Sequence, residues 1–404
     1  MYELRPYQEA CVKKILWSQQ FEGGDIVCLP TGAGKSIIIA ELVHRLNKPV
    51  LLLAPTREIT LQNLEKVSAY LPSHEIGIYS ASLNRKEIKK CTLATIGSIY
   101  KKPELFAHFS LVLADEAHLI NVKDSNGMYM SFLNGISPVK VVGLTATPYR
   151  LDVAYENLGD GVFIAHTATK LINRTKGNFW KRVVFNINIS NLIEEGYLTP
   201  LKYIDKTILE HDQIPTNISQ SDFNLDKFAE KISENEDKLM EAIFFAEELC
   251  KHVLVFCPNV DQAEWLQTQV ASSEVVTAKT KRKERERIIN GFRNGNIKTV
   301  FNVGVLTTGF DFPELDGIVL LRPTKSIGLY YQMLGRGVRS AKGKTHCKVI
   351  DLTGTVKFLG KVETIKMEKD QMWELRSETG SWHNKSLYSV KIGDVKQDNL
   401  SFLR

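Results

Sequence analysis

The feature that most restricts this chain is a series of short, unbroken apolar runs, each separated from the next by a stretch with helical periodicity. Asp25 to Leu29 is such a run, and Lys35 to Leu46 repeats its apolar residues at helical spacing. Pro49 to Ala54 follows, then a predicted helix from Ile59 to Leu71 and predicted strands at Ile76 to Tyr79, Cys91 to Thr95, Leu111 to Ala114 and Val139 to Leu144. A strand apolar at every position is buried on both faces, which requires helices on either side of a parallel sheet. The first half therefore reads as a doubly wound α/β domain.

The pattern blurs over 151–196, where glycine, asparagine, aromatic and basic residues mix. Leu201 to Leu209 reads as a strand and 210–236 as a polar loop. Alternation then resumes, with helices over 237–250, 262–270, 281–292 and 327–338. The matching strands are His252 to Cys257, Glu274 to Ala278, Thr299 to Val303, Gly317 to Leu321 and Lys348 to Leu352. At 404 residues the chain has room for two cores. We expect a first domain over 1–199, a second over 200–360 and a tail over 361–404. The tail carries Trp373 and Trp382 and has no assigned role.

Composition narrows the class. With 43% apolar and 24% charged residues the balance is that of a globular protein, and the formal charge of +6 suits a polyanionic partner without identifying one. The six cysteines form no CxxC pair, so they read as reduced core residues and not as a zinc site. MYELRPYQEACVKK has no apolar signal region, and runs such as Val50 to Ala54 are far below a membrane span. A soluble, cytoplasmic protein, monomeric, is the expectation.

Residues 28–36 read CLPTGAGKS. A glycine-rich loop between a strand and a helix presents backbone N–H groups and a helix N-terminus to an anion. Gly32 and Gly34 let the loop close around phosphate oxygens. Lys35 would reach the β- and γ-phosphates, and the Ser36 hydroxyl would ligate Mg²⁺. The strict GxxxxGK[ST] pattern fails, because position 29 is leucine. Asp115-Glu116-Ala117-His118 follows the strand LVLA, at the sheet edge where ligands bind in such folds. One carboxylate beside Mg²⁺ and a second that orients or deprotonates a water are what phosphoanhydride hydrolysis needs. A capped helix start would also favour acidic residues there, but the upstream GAGKS argues for chemistry.

These residues resemble, in order, the motifs of the superfamily 2 helicases, from residue 4 to about 339. Leu4-Arg5-Pro6-Tyr7-Gln8 is similar to the adenine-reading segment, with Gln8 facing a purine edge. Pro30, Thr31, Gly32, Ala33, Gly34, Lys35 and Ser36 form the superfamily's phosphate loop, which accounts for the missing glycine. Ala54-Pro55-Thr56-Arg57-Glu58 resembles motif Ia, Thr95-Ile96-Gly97-Ser98 motif Ib, DEAH motif II and Thr145-Ala146-Thr147 motif III. Val253 to Pro258 resembles motif IV, Thr307-Thr308-Gly309-Phe310-Asp311 motif V, and Gln332 to Arg339 motif VI. The resemblance implies two tandem RecA-like domains with an ATP cleft between them. It makes Ser36 and Asp115 the Mg²⁺ ligands and adds Glu116 and His118 to the catalytic set. Gly309 and Asp311 join the nucleotide site. On a helix, Gln332, Arg336 and Arg339 would share one face. Two guanidinium groups so placed need an anion, and the resemblance supplies the γ-phosphate, making them arginine fingers.

Longer stretches, among them LRPYQ, GLTATPYRL, VLTTGFDFPELD and LRPTKSIGLYYQMLGRGVR, are similar to RadD-type DNA repair helicases and their phage-encoded relatives over about 1–355. Those proteins carry a C-terminal cysteine-rich zinc segment, whereas this chain has no cysteine after Cys347. The resemblance implies contacts to a nucleic-acid backbone from Pro55, Thr56, Arg57, Thr95, Ser98, Thr277 and Thr307, without base reading. Forked, branched or duplex DNA is the expected partner, with repair, recombination or replication as the setting. An RNA helicase, or an ATPase accessory to a recombinase or nuclease, remains open. In KLINRTKGNFWKR (170–182), Phe179 and Trp180 among basic residues suit base stacking or a wedge. A surface hairpin whose aromatics pack on the first domain suits them slightly better.

Overall fold

The computed structural model describes residues 2–157, 163–172, 179–217, 222–306, 311–369, 373–379, 385–386 and 391–392. The chain forms two compact units. The first comprises Met1–Tyr149 and Leu171–Ile187, the second Arg150–Lys170 and Asn188–Arg404. The boundary drawn at 199 thus falls at 187, and part of the blurred segment belongs to each unit.

In the first unit the strands are β1 (Gly23–Cys28), β2 (Val50–Ala54), β3 (Ile76–Ser80), β4 (Arg85–Lys86), β5 (Cys91–Thr95), β6 (Leu111–Asp115) and β7 (Lys140–Thr145). After β8 (Tyr149–Asn157) and β9 (Phe163–Leu171), the chain supplies β10 (Trp180–Asn186). The eight-stranded sheet runs β10-β1-β7-β6-β2-β5-β3-β4. Every pairing in it is parallel except β3 with the short β4. Strands β2, β5, β6 and β7 are buried at every position, as unbroken apolar runs require. Helices α1 (Pro6–Ser18), α2 (Lys35–Leu46), α3 (Arg57–Val67), α4 (Ile96–Ile99) and α5 (Met128–Ile136) connect and cover them.

Strand β10 was not foreseen as part of this sheet. It extends the sheet past β1, and its first residue, Trp180, is 1% exposed. The indole lies where any Cβ on Gly24 or Gly143 would strike it, at 3.0 and 2.5 Å, so two glycines of adjacent strands make its slot. This corrects the expectation that Trp180 stacks on nucleic acid: it is a core residue. Phe179 is half-buried, meets Trp180 edge-on with ring centroids 4.9 Å apart, and its carbonyl accepts the Gly24 N–H. Residues 173–178 of the same basic stretch lie outside the described residues.

The second unit contains α6 (Ile189–Glu194), β11 (Leu201–Asp205), α7 (Leu225–Ser233), α8 (Glu236–Leu249), β12 (Val253–Phe256), α9 (Val260–Gln269), β13 (Ser273–Val276), α10 (Arg282–Arg293) and β14 (Thr299–Asn302). It continues with β15 (Gly317–Leu320), α11 (Ile327–Leu334), β16 (Cys347–Asp351) and α12 (Thr355–Leu359). Its six-stranded sheet, β11-β16-β15-β12-β14-β13, is parallel throughout. The core gathers Val253, Val255, Phe301, Val319 and Ile350 from the strands with Leu239, Ile243, Leu266 and Phe228 from the helices. Helix α7 corrects the polar loop expected over 210–236. Asn224 caps it by accepting the Lys227 N–H, and Phe228, Ala229 and Ile232 are buried on one face of an otherwise polar helix.

The tail also acquires structure. Strands β17 (Ile365–Lys369), β18 (Trp373–Ser377) and β19 (Lys385–Ser386) form an antiparallel sheet. The tail is fastened to the second unit through Tyr203, whose hydroxyl donates to Glu363 (2.5 Å) and accepts the Val362 N–H. All six cysteines are buried and unpaired. No helix among the described residues is long and apolar enough to cross a membrane.

Candidate nucleotide and nucleic-acid site

Five motifs of the first unit emerge at the carboxyl ends of five adjacent strands. The phosphate loop follows β1, TAT follows β7, DEAH follows β6, motif Ia follows β2 and motif Ib follows β5. Neighbours in the sheet thus become neighbours at its edge. This is where an open parallel sheet holds ligands.

In the phosphate loop Gly32 and Gly34 have φ of +85° and +76°, values that favour glycine. Gly34 is the N-cap of α2, and no side chain caps that helix. Its first N–H groups and dipole therefore face the loop, which is a chemistry suited to phosphate. A Cβ on Gly34 would also lie 2.6 Å from Gln8 Nε2, so the loop tolerates only glycine beside the N-terminal segment. Pro30, Thr31 and Ala33 are buried, while Gly32, Lys35 and Ser36 are half-buried. Lys35 Nζ donates to the Leu29 carbonyl at 3.4 Å.

The N-terminal segment is built onto this loop. The Tyr7 hydroxyl and Gln8 Nε2 both donate to the Ala33 carbonyl, at 2.9 and 3.0 Å, and Gln8 Oε1 accepts the Arg5 N–H at 2.9 Å. Gln8 is 2% exposed, so its amide plane is fixed. One further N–H and one further lone pair of that amide match the donor–acceptor pair on a purine edge. Leu4 and Arg5 are half-buried just before α1.

At the end of β6 the Asp115 carboxylate is 4% exposed and held at both oxygens, by the Glu116 N–H (2.9 Å) and Asn63 Nδ2 (3.2 Å). Burial, and then the Glu116 charge, push its pKa up to about 6, with Lys35 and Asn63 acting the other way. Glu116 adopts φ 51°, ψ 48°, a left-handed conformation that a non-glycine residue takes at a cost. This turn sets Glu116 apart from the strand direction of Asp115. His118 Nδ1 lies 2.9 Å from the Thr145 hydroxyl and 3.4 Å from Glu116 Oε2, and Thr145 also accepts the Thr147 N–H. DEAH and TAT therefore share one hydrogen-bonded corner. The residues fit a Mg²⁺–nucleotide: a hydroxyl at Ser36, a buried carboxylate at Asp115, and beside it the buried Asn63 Oδ1, which has no hydrogen-bond partner among the described residues. Asn63 was missed in the sequence, where it reads as one polar residue on an amphipathic helix.

The backbone-contact candidates sit on the same edge. Pro55, Thr56 and Arg57 are half-buried at the start of α3, with Thr56 capping it through the Ile59 N–H. The Thr95 hydroxyl bonds those of Ser80 (3.1 Å) and Ser98 (2.8 Å), making a cluster of three hydroxyls at the ends of β3 and β5. Ser80 was not foreseen.

In the second unit, Thr277 follows β13 and accepts the Lys279 N–H, tightening its own loop. Thr307 and Gly309 lie outside the described residues. Asp311 is exposed, and its carboxylate pairs with the Arg339 guanidinium. The motif VI expectation needs correction. Helix α11 carries the half-buried Gln332 but stops at Leu334, so Arg336 and Arg339 do not share a helix face with it. Gly335 and Gly337 weaken the helix there, and the chain instead turns to pair Arg339 with Leu198 and to give the Val338 carbonyl to the Thr199 N–H. Arg336 is 5% exposed, held by that turn.

The fold and the loop define a class: a nucleoside-triphosphate-binding protein with two RecA-like α/β units. Comparison with known proteins narrows it. Residues 1–150 match the family "Type III restriction enzyme, res subunit", and 234–341 match "Helicase conserved C-terminal domain". The Saccharomyces cerevisiae protein named "Putative ATP-dependent helicase IRC3" is 28% identical over 87% of this chain and 51% of its own length. The chain thus spans about half of that relative. The "DNA 3'-5' translocase XPB2" of Sulfurisphaera tokodaii is 26% identical over 83% of this chain and 79% of its own. Among solved structures, the fold is shared with "ATP-dependent Type ISP restriction-modification enzyme LlaBIII bound to DNA", at 15% identity and a TM-score of 0.63, over 87% of this chain and 28% of that one. Together the two family matches and the named helicases among the relatives fit a superfamily 2 helicase.

Proposed function

We propose that the chain is an ATP-driven motor that moves on DNA and remodels duplex, forked or branched substrates. The observation that carries the reading is the alignment of five motif loops on five adjacent strand ends, with the phosphate loop and DEAH at one side and motifs Ia and Ib at the other. In this reading the phosphate loop and Lys35 hold the β- and γ-phosphates of ATP. Ser36 and Asp115 would hold Mg²⁺, which would supply charge stabilisation at the transferred phosphoryl group. Glu116 accepts the proton of the attacking water. Gln332, Arg336 and Arg339 of the second unit are the motif VI candidates, and arginine fingers are worth roughly 10³ to 10⁵ in rate in related phosphoryl transfer.

Nucleic acid lies on the motif Ia and Ib loops, where small hydroxyls, backbone amides and Arg57 meet phosphates and read no bases. Binding is then salt-dependent and sequence-independent. The DNA assignment draws on the named DNA translocase among the relatives, and a repair or recombination role on the likeness to RadD-type helicases.

The test is ATP hydrolysis by the wild type and Glu116→Gln, alone and with duplex, single-stranded and forked DNA or with RNA. Strong stimulation by DNA, lost in Glu116→Gln by about 10² to 10⁴ in kcat, is the expected result. Stimulation by RNA alone would overturn the substrate, and indifference to every polynucleotide would overturn the motor.

A further inference from the structure

Helix α3 begins at one function and ends its second turn at another. Its first residues are the motif Ia loop, with Thr56 as N-cap. Asn63 lies seven positions beyond Thr56, about two helical turns along, and is 1% exposed. Its Nδ2 donates to Asp115 Oδ2 at 3.2 Å. A carboxylate only accepts, which fixes the amide orientation and leaves Oδ1 on the other side. That Oδ1 is buried and has no hydrogen-bond partner among the described residues. A buried orphan acceptor costs stability, and it persists where a donor arrives with a ligand.

We propose that Asn63 is a positioning residue that links the nucleic-acid end of α3 to the metal carboxylate Asp115, donating to Asp115 through Nδ2 and accepting from a metal-bound water through Oδ1. The proposal rests on the nucleotide reading above. Mg²⁺ keeps several of its waters when it binds protein and phosphates, and each such water is a donor. Among side chains of similar or smaller size, only asparagine supplies both halves here. Leucine offers neither, aspartate would set a second negative charge against Asp115, and serine is too short to bridge both groups. Because α3 is a regular helix, a shift at Thr56 and Arg57 on meeting a phosphodiester is carried to Asn63 as a body, and from there to the metal ligand. Coupling of this kind is reciprocal: nucleic acid tightens the metal–nucleotide, and the metal–nucleotide tightens nucleic acid by the same factor.

The experiment is an electron paramagnetic resonance titration of the full chain with Mn²⁺ in the presence of ADP, with and without a saturating DNA oligonucleotide. ADP binding in chelator is measured alongside. In the wild type, Mn²⁺ affinity is expected to rise when DNA is added. In Asn63→Ala, Mn²⁺ affinity is expected to fall about 10- to 100-fold, as for outer-sphere partners of metal ligands, and the response to DNA to vanish, while metal-free ADP binding stays at the wild-type value. Asn63→Ser retains a hydroxyl, is expected to lie between, and carries the comparison if the alanine variant fails to fold. Wild-type Mn²⁺ affinity in either variant would overturn the positioning role. A DNA-insensitive wild type would overturn the link to nucleic acid. A wild type that binds no Mn²⁺–ADP would sink the nucleotide reading itself, an outcome distinct from both.

Discussion

The two ends of the first sheet put the same residue types to opposite uses. At the amino end of β1, Asp25 is fully buried, and its carboxylate meets Lys140 Nζ at 2.5 Å and Arg182 Nε at 2.7 Å. Lys140 also donates to the carbonyls of Ser18 and Phe21, and Arg182 to that of Glu22. Charge is matched by charge, and α1, β1, β7 and β10 are stapled together. At the carboxyl end, Asp115 is just as buried but is met by an amide and a backbone N–H instead of a cation. Glu116 beside it holds a left-handed backbone, and the Asn63 carbonyl oxygen goes unmatched within the described residues. One end is neutralised by cations and the other is left wanting one. A buried carboxylate marks function here by what its neighbours leave undone.

That contrast can be broken most forcefully at Asp25. Asp25→Ala strands the buried Lys140 charge and is expected to cost about 3–5 kcal/mol of stability, read as a fall in the urea midpoint. Turnover per folded molecule should be unaffected. A loss below about 1 kcal/mol would mean that the staple is as loosely matched as the other end.

The corresponding change at the working end should have the opposite sign. Burial raises the Asp115 pKa to about 6 from 3.8, so the folded state holds the proton more tightly than the unfolded one. Stability of the metal-free protein therefore falls as pH rises through that window, and the full penalty is present above about pH 6. Asp115→Asn removes the charge and keeps the shape. It is expected to stabilise the metal-free protein at pH 8 by on the order of 2 kcal/mol and to level its pH dependence, while abolishing metal-dependent turnover. Destabilisation at pH 8 would contradict the comparison.

The smallest effect sharpens it. Thr145→Val removes the hydroxyl shared by His118 and the Thr147 N–H and is expected to cost about 1 kcal/mol in thermal melts. A cost as large as that at Asp25 would show the DEAH corner to be a locked element and not a poised one.

What the sequence displayed was local, and what it hid was not. Unbroken apolar runs and the glycine-rich loop each announce their structure within a dozen residues, and most strands of both sheets and the phosphate loop were legible from them. Trp180 was not, because whether an aromatic among lysines stacks on a base or fills a slot was decided by Gly24 and Gly143, distant in the chain. The reach of α11 was overdrawn because a helical reading of GRGVR ignores the isolated bridge that Leu198 makes with Arg339. Helix α7 was hidden by polar surface around three buried residues. Asn63 had no signal of its own, since its meaning lies in a carboxylate supplied by another strand.

A motor on DNA must couple directed movement to hydrolysis. A triplex-displacement assay, in which a third strand is stripped from duplex DNA, measures it with the full chain, ATP and Mg²⁺. We expect displacement with ATP, none with a non-hydrolysable analogue, and none with Glu116→Gln. ATP turnover stimulated by the same duplex with no displacement of the third strand would contradict the account: the carboxyl edge of the sheet would then hydrolyse ATP without moving the chain on DNA.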